Sequence, residues 1–224
     1  MPVMTTEDPR IISFMTLRKA VGWFGISLPL AMMLVTWLFS NCKVVQDSIS
    51  HYYYTVAGSM FVGILSAVAL FLFAYKGYDK WDNRSTSLAG FFAFCIALFP
   101  TNVSAAASCN IVNLPPNQLR NTIHYTSAAL FFITLACISL FLFTKSDGPK
   151  TEEKKMRNSI YKISGIIILL CLALIELFHF TYNEPDGATN FKPVFWLEAV
   201  ALFSFGISWL VKGELLLKDH SLEE

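Results

Sequence analysis

Charge is scarce in this chain. Asp, Glu, Lys and Arg make up only 15% of its 224 residues, against 54% apolar residues, whereas ordinary soluble domains carry about 25% charged residues. So little charge argues against a soluble domain. The 17 basic and 16 acidic residues leave a net charge of +1, which is uninformative in total; the basic residues are sorted along the chain and not gathered into one patch, so no nucleic-acid partner is expected. Compact metal signatures are missing as well: the chain has no His-Glu-x-x-His, no His-x-x-x-His and no close Cys pair. No inverted repeat is evident, and no ionisable residue falls deep in the middle of an apolar stretch, which disfavours a transporter.

What is present is apolar sequence in long runs. Six stretches, about 20–40, 55–75, 87–107, 122–144, 159–180 and 194–211, approach the roughly 20 residues needed to cross a bilayer as helix. The fold class expected is all-α: one polytopic transmembrane bundle of six helices spanning residues 1–224. The first stretch is followed by Asn41, Cys42 and Lys43 with no small-x-small cleavage pattern, so it reads as a permanent helix and not as a signal peptide. Asn41 also stands where a lipidated Cys is preceded by a small residue, which disfavours a lipid anchor at Cys42. The third stretch is the weakest, because Pro100 interrupts it and its continuation is small and polar. A kinked or re-entrant helix is open there.

The basic residues are sorted by side. The N-terminus, the second and fourth loops and the C-terminal tail hold fourteen of the seventeen, with six in the loop KSDGPKTEEKKMRNSIYK; Lys43, Arg120 and Lys192 are alone in the other three loops. The positive-inside rule then places both termini in the cytoplasm. It also argues that the third stretch crosses, since otherwise the most basic loop would face outward.

Against that frame the polar residues gather on the outer side. Cys42 and Cys109 lie in outer loops, where an oxidising exterior permits a disulfide, two separate loop thiols being the alternative. Cys95, Cys137 and Cys171 lie within helices and read as packing residues. His51 precedes the second helix, His124 opens the fourth, His179 closes the fifth and Glu198 lies about one turn into the sixth. Glu176 is three residues before His179, on a neighbouring position of one helix face, which leaves both able to point into the bundle. Asp47 and Ser48, and Glu184 and Asp186, are available at similar depth. A carboxylate in hydrocarbon costs on the order of 3 kcal/mol, so Glu176 and Glu198 are the foremost site candidates. For His51 and His124 taken singly, a place at headgroup level beside Tyr52, Tyr53, Tyr54 and Tyr125 is the simpler reading.

Three segments carry a family likeness: DSISHYYYTVAGSMFVGILSAVALFLFAYKGYD, TSLAGFFAFCIALFPT and IHYTSAALFFITLACISLFLFT. They resemble bacterial membrane proteins of unknown function and, more distantly, the six-helix DRAM-like family of eukaryotes, which includes a protein implicated in remodelling lipid anchors. The matching features are Ile49-Ser50 before the second helix and His124 ahead of the small run Ser127 to Ala129. The resemblance implies a six-helix fold in a membrane, here a bacterial inner (plasma) membrane. A second similarity, in residue types only, is to seven-helix membrane hydrolases such as alkaline ceramidases, whose paired histidines and seventh span are missing.

Three functions follow. The leading one is a membrane protein that binds or senses membrane lipids through the outer polar cluster. The alternative is a metal-dependent lipid hydrolase, with zinc held by His51, His124, Glu176 and His179 and with Asp47 or Glu198 as base. The third is a small proton- or ion-coupled transporter using Glu176 and Glu198. Oligomeric state is not encoded in any visible pattern.

Overall fold

A computed structural model describes residues 14–77, 79–103, 109–145, 151–181 and 191–217. Six α-helices account for most of them: α1 (Phe14–Phe39), α2 (Gly58–Ala74), α3 (Lys80–Leu98), α4 (Gln118–Cys137), α5 (Glu152–Thr181) and α6 (Pro193–Lys212). A short 3₁₀ helix, Ser50–Tyr54, precedes α2, and α4 continues as a π-helical turn over Ile138–Leu142. There is no strand among the described residues. The segments Met15–Phe39, Gln118–Leu142, Glu152–Thr181 and Pro193–Lys212 are long and apolar enough to cross a membrane. Helix α2 is apolar but has 17 residues, about 26 Å of rise, and α3 carries Lys80, Asp82 and Arg84 in its first turns.

Local chemistry sets the helix ends. The Asp79 carboxylate caps α3 by accepting the Trp81 and Asp82 amides (2.8 and 3.0 Å), and Asn117 caps α4 by accepting the Arg120 amide (2.9 Å), each satisfying N–H groups that a helix start leaves open. Pro193 opens α6, where its fixed φ suits the helix and its missing N–H is not needed. The third helix differs from the expected stretch 87–107. It starts at Lys80 because of the Asp79 cap and stops at Leu98, because Pro100 donates no hydrogen bond and disfavours helical geometry at Phe99. Residues 104–108 lie outside the described residues.

Each helix packs against its neighbours in the chain, and α6 returns to α1 to close a ring. The α1–α6, α5–α6 and α2–α3 contacts are the most extensive. Helices α1 and α6 cross at a pair of glycines: a Cβ added to Gly206 would stand 2.6 Å from the Gly22 carbonyl oxygen, and one added to Gly22 would stand 2.9 Å from that of Gly206. Only glycine allows backbones so close, the usual device where helices meet in lipid. Outward, large apolar side chains stay uncovered, including Leu34 and Leu38 on α1, Ile133 on α4 and Leu170, Leu174 and Leu177 on α5. A soluble monomer rarely presents so much apolar surface.

The two ends of the ring differ. At one end, Trp209 stands edge-on to Tyr75 and Phe143 (5.3 and 5.2 Å). Above this aromatic floor Arg18 donates to the Lys212 carbonyl and the Tyr75 hydroxyl, and Lys212 donates to the Phe143 carbonyl. Lys145 bridges Asp79 and Asp82 (2.8 and 3.0 Å), joining the end of α4 to the start of α3. The hydrogen bond and charge of Lys145 hold the Asp79 carboxyl below its ordinary range, and Asp79 and Asp82 raise Lys145 in turn. This is the basic end. The other is the histidine end.

Candidate polar site at the histidine end

The link between α1 and α2 does not arch over the histidine end; it dips into the mouth of the ring. Ile49, Tyr52, Tyr54 and Thr55 are buried. Their partners lie below the helix starts: His124, seventh residue of α4, and Glu198, sixth of α6, sit about 9 and 8 Å along their helices. Several attachments hold the segment. The Glu198 carboxylate accepts the Ile49 amide (2.6 Å), and the Phe195 amide donates to the Asp47 carbonyl (3.1 Å). The Tyr54 hydroxyl donates to the Thr101 carbonyl, while the Tyr54 carbonyl accepts the Ile111 amide (2.9 Å). The Thr55 and Thr36 hydroxyls meet at 3.3 Å. Finally Cys42 is disulfide-bonded to Cys109, with Cα atoms 5.4 Å apart, tying the entry of the segment to the link between α3 and α4. Burial raises the Tyr52 phenol to about 12, outweighing a downward pull from the Gln46 amide, so Tyr52 remains a neutral packing residue.

His124 is fixed at both nitrogens. Its Nδ1 lies 2.8 Å from the Phe99 carbonyl oxygen and its Nε2 lies 2.9 Å from Ser50 Oγ. The Phe99 carbonyl is available because Pro100 ends α3 there. The same break exposes the Pro100 carbonyl, which accepts from Arg120 Nε (2.9 Å). Arg120 also donates to Asn102 Oδ1 (2.9 Å) and to the Pro115 carbonyl (3.1 Å), and Asn121 Oδ1 accepts from the Asn102 amide and the Thr101 hydroxyl (2.8 and 2.9 Å). Since a carbonyl only accepts, the proton on His124 is assigned to Nδ1, and Nε2 accepts from the Ser50 hydroxyl.

Asp47 lies on the rim. Lys192 is paired with Asp47 Oδ1, and His51 Nδ1 stands 4.0 Å from Asp47 Oδ2. The His51 amide donates to Ser48 Oγ (3.2 Å), and His51 itself is buried. Asp47 and His51 therefore belong to the buried segment, and His124 and Glu198 hold it from α4 and α6. Glu176 and His179 do not join them. Both are exposed on α5; three-residue spacing fixes a shared face but not the way that face turns. The His179 ring is 6.1 Å from that of Tyr125, which in turn stands 5.9 Å from His124. Among the described residues no three His, Cys, Asp or Glu side chains converge so as to hold a metal ion. Glu184 and Asp186 lie outside the described residues.

Ser50, Arg120, Asn102, Asn121 and Lys192 were not singled out as site residues by sequence pattern. Pro100 was the usable signal, because a proline that ends a helix frees carbonyls that must find donors elsewhere.

The fold and site define an all-helical protein with membrane-length apolar helices and a polar segment packed into one end of its ring. The chain belongs to a family of unknown function, DUF7103, which matches residues 30–213. No curated protein and no solved structure matches it.

Proposed function

We propose that this chain is a six-helix, multi-pass membrane protein that binds or senses membrane lipid through the polar cluster at its histidine end, with both termini in the cytoplasm. The observation that carries this reading is the rim of the site. Asp47 and Lys192 stand side by side there with opposite charges, directly above helices whose outer faces are apolar. A phospholipid with its tails along those faces brings a phosphate to the depth of Lys192 and, in a zwitterionic lipid, a cationic group to that of Asp47. The resemblance to the DRAM-like family, with its member implicated in lipid-anchor remodelling, supports the same direction.

The test is the phospholipid retained by protein purified in mild detergent, measured by mass spectrometry. Asp47→Asn combined with Lys192→Gln is expected to lower retained phospholipid several-fold; retention equal to wild type overturns the reading. Zinc analysis of the same samples addresses the metal-dependent hydrolase. About one zinc per chain, lost in His51→Ala, would move the assignment to that alternative.

A further inference from the structure

The geometry points to a second use of the same end of the ring: Ser50 and His124, with the Phe99 carbonyl behind them, form a nucleophile–base pair that acts on the carboxylic ester of a lipid. Three features carry it. Ser50 Oγ is 2.9 Å from His124 Nε2, and His124 Nδ1 is 2.8 Å from the Phe99 carbonyl, so the base is oriented by a third group in the arrangement that activates a serine. The carbonyl fixes the tautomer, leaving the Nε2 lone pair aimed at the serine proton. The serine is also held in place: the Glu198 carboxylate grips the Ile49 amide on one side, and the Tyr54 hydroxyl anchors the other. The base is buried while Ser50 is half-buried, so the reacting oxygen lies at the edge of the cluster and the imidazole behind it is shielded from water.

The depth fits the substrate class. His124 stands about 9 Å along α4 from its start, two residues inside the apolar stretch that begins near residue 122, at the polar–apolar boundary where a phospholipid carries its glycerol esters. The substrate class rests on the lipid reading above. In the reaction, Ser50 Oγ passes its proton to His124 Nε2 and bonds to the ester carbonyl carbon. The carbonyl–alkoxy bond then breaks, and the departing alcohol takes the proton from His124. Water, deprotonated by His124, attacks the acyl–Ser50 ester; Ser50 Oγ leaves and takes that proton back from His124 as the fatty acid is released, while the Nδ1 proton stays on His124, hydrogen-bonded to the Phe99 carbonyl.

The experiment uses the full chain in mixed micelles, treated separately with a long-chain alkyl fluorophosphonate and a small water-soluble one, followed by peptide mass spectrometry. Ser50 Oγ displaces fluoride, so the expected result is a phosphonate adduct on the peptide containing Ser50. Ser50→Ala should remove it, and His124→Gln, which keeps a donor for the Phe99 carbonyl but no base, should slow labelling about a hundredfold. Folding of each variant is checked by its thermal transition. Absence of the adduct from folded wild-type protein with both probes overturns the pair, and so does undiminished labelling in folded His124→Gln. Retained phospholipid is measured on the same preparations. Lipid retained without labelling removes the nucleophile and leaves the lipid reading intact. Labelling of Ser50 in protein that retains no lipid supports the nucleophile and overturns the lipid ester as its substrate.

Discussion

At the scale of single residues, the tightest constraint is the glycine pair where α1 meets α6. A methyl group at position 206 would stand 2.5 Å from Ile26 Cγ1 and 2.6 Å from the Gly22 carbonyl oxygen, and the backbone oxygen offers no rotamer by which to yield. Gly206→Ala is therefore expected to destabilise the bundle by about 1–3 kcal/mol, read as a lower thermal transition in detergent. Gly63, where nothing lies within 4 Å of the added carbon, makes the control: Gly63→Ala should leave the transition unchanged or raise it slightly. A Gly206→Ala transition equal to wild type would mean that the two helices do not approach as described. This contrast is not legible in the sequence, where Gly22, Gly63 and Gly206 all stand within apolar stretches. Small residues mark where close approach is permitted; whether a partner backbone occupies the space depends on the facing helix. His124 follows the same logic. Its place at the start of α4 was readable, but its two hydrogen-bond partners come from residues 25 and 74 positions away in sequence.

At the scale of elements, the start of α3 shows how one residue serves two roles. Asp79 caps its own helix and binds Lys145 at the end of α4, so both its hydrogen bonds and its ion pair favour the ionised carboxylate. A carboxyl whose value is lowered in the folded state contributes stability that is present above the ordinary carboxylate range, about pH 4. That contribution is lost as pH falls through the lower, folded value. Lys145, raised by the same partners, contributes below the ordinary lysine range and loses its contribution as pH climbs through the higher, folded value. Unfolding measured from neutral pH downward should therefore show an acid limb that is shallower in Asp79→Asn than in wild type, with the variant less stable near neutrality. Equal acid limbs would remove Asp79 from the account. The existence of all six helices was legible, because each is a long apolar run. Their ends were less so: α3 begins at a cap and stops at a proline, and the polar turns at its start, Lys80 to Arg84, belong to the helix although hydropathy alone excludes them.

At the scale of the whole molecule, two independent asymmetries fall along the same axis. Among the described residues, Arg18, Lys145, Arg157 and Lys212 cluster with the aromatic floor at one end, while the Cys42–Cys109 disulfide and the histidines occupy the other. Arg10, Lys150 and Lys218 lie outside the described residues. Cytoplasmic loops collect Lys and Arg, and disulfides persist in oxidising compartments, so both observations support the proposed orientation, with the basic end in the cytoplasm and the histidine end outside. Charge counting alone left this dependent on whether the short α2 and the proline-ended α3 cross. The closed ring supports the proposed six crossings, because α2 and α3 complete the circuit between α1 and α4. In a background lacking Cys95, Cys137 and Cys171, a single cysteine replacing exposed Asn113 at the histidine end should react with a membrane-impermeant maleimide on intact cells. One replacing exposed Lys155 at the basic end should react only after the cells are opened. The reverse pattern would overturn the orientation. Labelling of both sites on intact cells would mean that α4, the helix between them, does not cross; a failure of α3 to span, with charge in its first turns and a proline after its last, would instead give the reverse pattern.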